Sequence, residues 1–219
     1  MRAVDKLFAQ HSDPVRAAGA KAYMRGLFDY FGISTPARRE LQKKFHAEHA
    51  LPSFGDSAKI TRLCWKHPCR EMQYFAMELC YMHRKNLPRE SLALFEYMIR
   101  NKSWWDSVDF ISVKLIPAYF QQYPEVVAEK TGTWISSGHI WLMRTAIIFQ
   151  NNLKKKTDEK LLFSMVRQSA WHEDFFVRKA IGWALRQYGR TNPRAVKDFT
   201  SRNEKLLSPL SYLEAIRNL

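Results

Sequence analysis

Four stretches decide the fold: REMQYFAMEL at 70–79, WWDSVDFISV at 104–113, WLMRTAIIFQ at 141–150 and FFVRKAIGWAL at 175–185. Written under one another, they bring Ala76, Phe110, Ala146 and Ala180 into register at spacings of 34, 36 and 34 residues. Helical periodicity dominates the chain, and no segment keeps up the alternation of a strand. A repeat of this period, one helix pair each, is that of HEAT- and armadillo-type α-solenoids. The chain is therefore expected to be all-α, with about six such repeats curved around a basic concave surface that takes an extended ligand. A plain helical bundle is the competing all-α arrangement. Turn signals at 32–36, 52–55, Pro68, Pro88, Pro124, Gly132, Gly138, Asn152, 189–193 and Pro209 separate the helices. None resembles a linker, so residues 1–219 read as one domain.

Composition narrows the partner. Lys and Arg number 35 against 21 Asp and Glu, a formal charge of +14, which is more than solubility asks of a domain this size. The excess is spread along the whole chain rather than gathered in one amphipathic anchor, which favours nucleic acid over a membrane surface. A basic protein with no anionic partner is the ordinary alternative. No run of about 18 apolar residues is present for a membrane span. The opening MRAVDKLFAQHSDP is too polar for a secretory signal. Three cysteines, Cys64, Cys69 and Cys80, cannot all pair in one chain, which suits a reducing compartment. A cytoplasmic location is expected.

The most informative motif is SWWDSVD at 103–109. Ser103 with Asp106 has the S-x-x-D form of a capping box, predicting a helix that starts at Ser103. Trp104, Val108, Ile111 and Leu115 trace its apolar stripe, which assigns Trp104 to the core. Trp105 and Asp109, four residues apart on one face, are left on the flank. The stretch near 175–190 repeats the pattern. Its stripe of Val177, Ala180, Ile181, Ala184, Leu185 and Tyr188 is complete without Trp183. Trp183 sits instead among Lys179, Arg186 and Arg190, either as a surface pair with Arg186 or as the aromatic of a nucleic-acid face whose cations hold phosphate.

Arg144 lies opposite the Leu142, Ala146 and Phe149 stripe of its helix, so it is either one half of a structural ion pair or a cation facing a groove. Arg38, Arg39, Lys43 and Lys44 form a basic cluster after Thr35 and Pro36, with Thr35 the expected cap. Lys154, Lys155 and Lys156 read as a loop, solvated or touching phosphate. Other chemistries find no support. Phosphate-cradling glycine loops and dinucleotide fingerprints are missing. Cys64, His67 and Cys69 lack the spacing of structural zinc ligands, and no H-E-x-x-H or G-x-S-x-G element occurs.

With the repeat, SWWDSVD, Trp183 and the basic composition together, the chain closely resembles the AlkD-type DNA alkylation repair glycosylases. The likeness runs nearly end to end and is most specific at KSWWDSVD (102–109), WLMRTAIIFQ (141–150) and KAIGWALRQY (179–188). It implies Asp109 as the active-site carboxylate, Trp105 and Trp183 as flanking indoles and Arg144 as the nearby cation. Tyr23, within AYMRGLFDYFGI, matches a further position of the family's DNA-binding surface. Near the end the chain departs, with Tyr212 and Leu213 where the family carries a basic residue. The implied activity is hydrolysis of the N-glycosidic bond of N3- and N7-alkylated purines in double-stranded DNA. The implied mode works from the backbone side, with the lesion outside any tight pocket. No cofactor, membrane or obligate protein partner is expected, and a monomer is.

Two other function classes fit an α-solenoid. One is a non-catalytic repeat module that binds nucleic acid through its basic face, and the other a protein-binding HEAT scaffold. The second is at odds with a charge of +14 unless its partner is strongly acidic.

Overall fold

The computed structural model describes residues 1–217 and Leu219. Among them the architecture is helical, and the one sheet-like feature is an isolated parallel bridge between Asp29 and Cys69. No helix among these residues is long and apolar enough to cross a membrane. The helices gather into two compact units, residues 1–88 and 89–219.

The first unit holds α1 (Arg2–Gln10), α2 (Pro14–Tyr23), α3 (Thr35–Glu48), α4 (Phe54–Lys66) and α5 (Arg70–Met82). Side-chain caps start three of them: Asp13 accepts from the Arg16 amide, Ser34 from Ala37 and Ser53 from Asp56, each satisfying an amide that a first turn leaves open. The α3 cap is therefore Ser34 rather than Thr35, which has already entered the helix. The turn before α3 is locked from a distance. Buried Glu71 accepts from the amides of Phe31 (3.1 Å), Gly32 (2.8 Å) and Ile33 (3.3 Å). Gly32 has φ +87°, and a Cβ there would lie 2.1 Å from the Asp13 carbonyl, so only glycine fits. Cys64 and Cys80 are fully buried in this unit. Burial pushes the Cys64 thiol up to about 12 and the Cys80 thiol up to about 11.

The second unit holds α6 (Ser91–Arg100), α7 (Trp105–Phe110), a π-helical segment (Ile111–Leu115), α8 (Ile116–Gln122), α9 (Val127–Ser136), α10 (Ile140–Ile148), α11 (Glu159–Ser169), α12 (Phe175–Gly189), α13 (Pro193–Arg202) and α14 (Pro209–Ile216). Helices pair in sequence: α6 with α7 and α8, α9 with α10, α11 with α12, and α13 with α14. Together with α4 and α5 this makes five pairs, close to the six expected, with α1 to α3 forming the remainder. In this unit α7, α10, α12 and α14 pack each on the next, and α9 packs on α11. That is the two-row stacking of a solenoid. Ala76, Ala146 and Ala180 are buried, so the register drawn from sequence marks core positions; Phe110, at the same register, is half-exposed.

Local departures have physical causes. Gly132, read as a break, lies inside α9, where the helix passes through it. The π segment stands directly before Pro117. Proline has no amide to donate and its ring crowds the carbonyl four residues back; the widened turn accommodates this, with the Ile116 amide reaching the Ile111 carbonyl. Three residues other than glycine hold positive φ: Arg25 (58°), Lys102 (47°) and Lys154 (53°). Such backbone costs roughly 1–2 kcal/mol for a residue with a Cβ.

The tightest helix contact is between α12 and α14. A Cβ at Gly182 would fall 2.5 Å from the Glu214 Cβ and 2.9 Å from the Ser211 carbonyl oxygen. Gly182→Ala is accordingly expected to push α14 away and cost about 1–3 kcal/mol, seen as a lowered thermal unfolding midpoint.

Candidate active site

The α7 helix begins at Trp105, two residues later than the capping-box reading, with Trp104 at the cap position and no side-chain cap bond. The Ser103 hydroxyl is turned back and donates to the Ile99 carbonyl at the end of α6. The late start still sets Trp105 and Asp109 one turn apart on the same helix, both half-exposed. Trp104 packs against Trp141 (5.8 Å between ring centroids) and Phe176 (5.1 Å), yet it is half-exposed like Trp105 and does not join the buried core expected for it. Val108, Ile111 and Leu115 are fully buried as the stripe requires.

Asp109 is held from α10. Arg144 donates from Nε to Asp109 Oδ1 (2.7 Å) and from Nη2 to Oδ2 (2.8 Å), a two-pronged pairing of planar groups. Its Nη1 donates to the Phe176 carbonyl of α12 (2.8 Å), and the guanidinium carbon stands 5.7 Å from the Trp183 ring centroid, within cation–π range. The Arg144 side chain is 7% exposed and that of Asp109 is 22% exposed. So the cation is sealed in while the carboxylate keeps an open edge. Of the two readings of Arg144, the ion pair is the one found, and its partner is the carboxylate of interest.

Burial raises the Asp109 carboxyl above the ordinary aspartate range. The Arg144 hydrogen bonds and charge oppose that rise, while Asp106 adds to it. One turn beyond, Ser112 donates to the Thr145 hydroxyl (2.8 Å), a buried bond between the π segment and α10. Asp109 and Ser112 thus meet the adjacent residues Arg144 and Thr145, fixing the rotation of one helix against the other.

The cations around Trp183 differ from the sequence reading. Lys179 and Arg186 both donate to the buried Glu214 carboxylate of α14, with Arg217 3.8 Å from it. They share one buried carboxylate while Lys179 and Arg217 keep open surface (37% and 71% exposed), and the cation over Trp183 is Arg144. Desolvation, then the charges of Arg186, Arg217 and Arg144, lower the Lys179 ammonium. Arg190 is exposed at the end of α12. In the first unit Arg38 is buried, bonded to Gln42 and to both oxygens of Glu78, whose Oε1 also accepts from Arg39 (3.1 Å). The expected basic cluster there is in part an internal ion-pair network. Tyr23 is 74% exposed at the end of α2.

Sequence reading did not single out Glu214, Ser112, Thr145 or the Phe176 carbonyl. Gly182 carried the only local signal for Glu214, a glycine inside a helix otherwise rich in side chains. The arrangement presents a partly open carboxylate whose guanidinium partner lies over an indole face.

No curated protein matches the chain. A solved structure from Enterococcus faecalis, a "predicted DNA alkylation repair enzyme", is 30% identical and superposes with a TM-score of 0.86 over 95% of this chain and 96% of that one. Residues 4–219 match the family described as DNA alkylation repair enzyme. The chain belongs to the DNA alkylation repair enzyme family.

Proposed function

We propose that the protein is a DNA glycosylase that removes positively charged N3- and N7-alkylated purines from double-stranded DNA. The observation that carries this reading is the partly open Asp109 carboxylate, fixed by Arg144, whose guanidinium also lies over the Trp183 ring. In the reaction the oxygen of a water bonds to C1′ of the deoxyribose as the C1′–N bond breaks. The electron pair of that bond passes to the purine ring and cancels its positive charge, so the base departs neutral without being protonated. The water's second proton goes to solvent, by way of Asp109 or directly, leaving an abasic sugar.

Sugar C1′ carries oxocarbenium-like charge at the transition state. A fixed carboxylate placed before that charge forms stabilises it without reorganisation. Both Asp109 oxygens already accept from Arg144, which weakens them as proton acceptors. Their remaining lone pairs still align water, so charge stabilisation and orientation come before general base action. The faces of Trp105 and Trp183 hold the deoxyribose and favour positive charge beside their π clouds. A neutral purine offers no charge to cancel on departure and is a poor substrate. Exposed Tyr23 and Arg190 belong to the DNA-contacting surface.

Incubation with duplex containing N7-methylguanine is expected to release free base. Release no greater than background, with duplex binding and its steep salt dependence intact, would instead favour the non-catalytic binding module. Asp109→Asn keeps one acceptor for Arg144 and should slow release by roughly 10²–10³-fold while leaving duplex affinity almost unchanged. Circular dichroism should show the fold retained. The pH profile has a definite sign. Activity needs the ionised carboxylate, whose raised pKa means that ionisation is lost earlier on acidification. The acid limb of base release, corrected for spontaneous loss, is therefore expected above the range of an ordinary aspartate, and to vanish in Asp109→Asn.

A further inference from the structure

Among the described residues, the non-glycine positions with left-handed backbone are Arg25, Lys102 and Lys154. All three are cations, although Lys and Arg make up only 35 of the 219 residues. Glycine and asparagine bear this conformation with least strain, and each lies close by. Gly26 follows Arg25, Asn101 precedes Lys102, and Asn151 and Asn152 precede Lys154. Gly26 is itself left-handed (φ 74°), so Arg25 holds the first of two such positions in one turn. An asparagine in the place of Lys102 or Lys154 would bear the conformation with less strain, yet a cation occupies it. Strain held at a particular side chain is a pointer to use.

A structural reason exists for part of this. Arg25 and Lys102 follow helix ends, where a cation meets the negative pole of the helix. At Arg25 the turn is a full reversal, with the Gly26 amide bonding to the Lys21 carbonyl (2.8 Å) and the Arg25 amide to Ala22 (3.0 Å). That accounts for positive charge nearby, but not for its taking the left-handed position. Lys154 lacks even this reason, since it opens a 3-10 turn, Lys154–Lys156, and not a helix end. No ion pair among the described residues involves Lys154, Lys155 or Lys156, in contrast to Arg38, Arg39, Lys179 and Arg186, which are tied to carboxylates.

All three strained cations are exposed. Lys102 stands three residues before Trp105. Lys154 lines a small cavity with Gln187 and Tyr188 of α12, the helix that bears Trp183.

We propose that Arg25, Lys102 and Lys154 bind the phosphates of duplex DNA, each kept in a strained turn that carries its cation out toward the backbone. The proposal rests on the DNA-binding part of the function given above. It is tested with Arg25→Gly, Lys102→Gly and Lys154→Gly, made singly, because glycine removes the charge and the strain together. Each variant should unfold at the wild-type temperature or higher. Each should bind an undamaged duplex roughly three- to tenfold more weakly at 0.1 M salt, with the slope of log affinity against log salt flattened by about 0.9. Wild-type affinity and slope in the variants would overturn the proposal. So would a lowered unfolding temperature with an unchanged slope, which would make these charges helix-end stabilisers. Release of N7-methylguanine by the wild type, measured in the same series, keeps the two readings apart. No release with the slope effects present sinks the glycosylase and spares the phosphate contacts, whereas release with wild-type slopes in the variants does the reverse.

Discussion

The pairing of Arg144 with Asp109 is the constraint on which the second unit turns. Both groups give up water to meet, and a buried ion pair seldom repays that loss in net stability. It survives only with good geometry and every remaining donor occupied, and here the third donor finds the Phe176 carbonyl. One guanidinium thereby joins α7, α10 and α12, the second-row helices of three successive repeats. Solenoids are held mainly by contacts between neighbours, so a side chain bonded across three repeats sets their mutual register more firmly than apolar packing does. The indole of Trp183 and the carboxylate of Asp109 keep a fixed relation because both refer to the same cation.

Periodic features were legible in the sequence. The repeat spacing and most of the buried stripes of α7 and α12 follow from side-chain periodicity, which a helix obeys wherever it packs, whereas Trp104 and Tyr188 at the stripe ends stay half-exposed. Contacts between repeats were not legible. Nothing local tells that Lys179 and Arg186 meet Glu214 some thirty residues on, or that Arg38 reaches Glu78, because an ion pair leaves no periodic trace. Element starts were misread where a residue with the right chemistry had another use. Ser103 looks like a cap, yet its hydroxyl serves the end of the preceding helix, and Thr35 yields to its neighbour Ser34. Pro117 could have announced the π segment, since a proline in mid-helix must be accommodated. The individual candidate residues were named through resemblance more than through pattern, whereas the direct bond from Arg144 to Asp109 required the structure.

A formal charge of +14 overstates the positive face. Glu78 absorbs Arg38 and Arg39, and Glu214 draws in Lys179, Arg186 and, more distantly, Arg217. Charges so committed shape the helices around the site and are less available to a polyanion. The cations that matter most for long-range attraction are the exposed ones, and these include Lys43 and Lys44 on α3 as well as Lys154 to Lys156 in their 3-10 turn.

The buried thiols of the first unit carry a consequence for an enzyme of this family. Thiolate, not thiol, is the nucleophile. Burial that lifts Cys64 to about 12 and Cys80 to about 11 leaves both almost wholly protonated in a neutral cell. The electrophiles that methylate purines also methylate thiolates. In a protein that meets such reagents, these two sulfurs, protonated and out of reach, are poor targets for them, whereas half-buried Cys69 lacks that shelter.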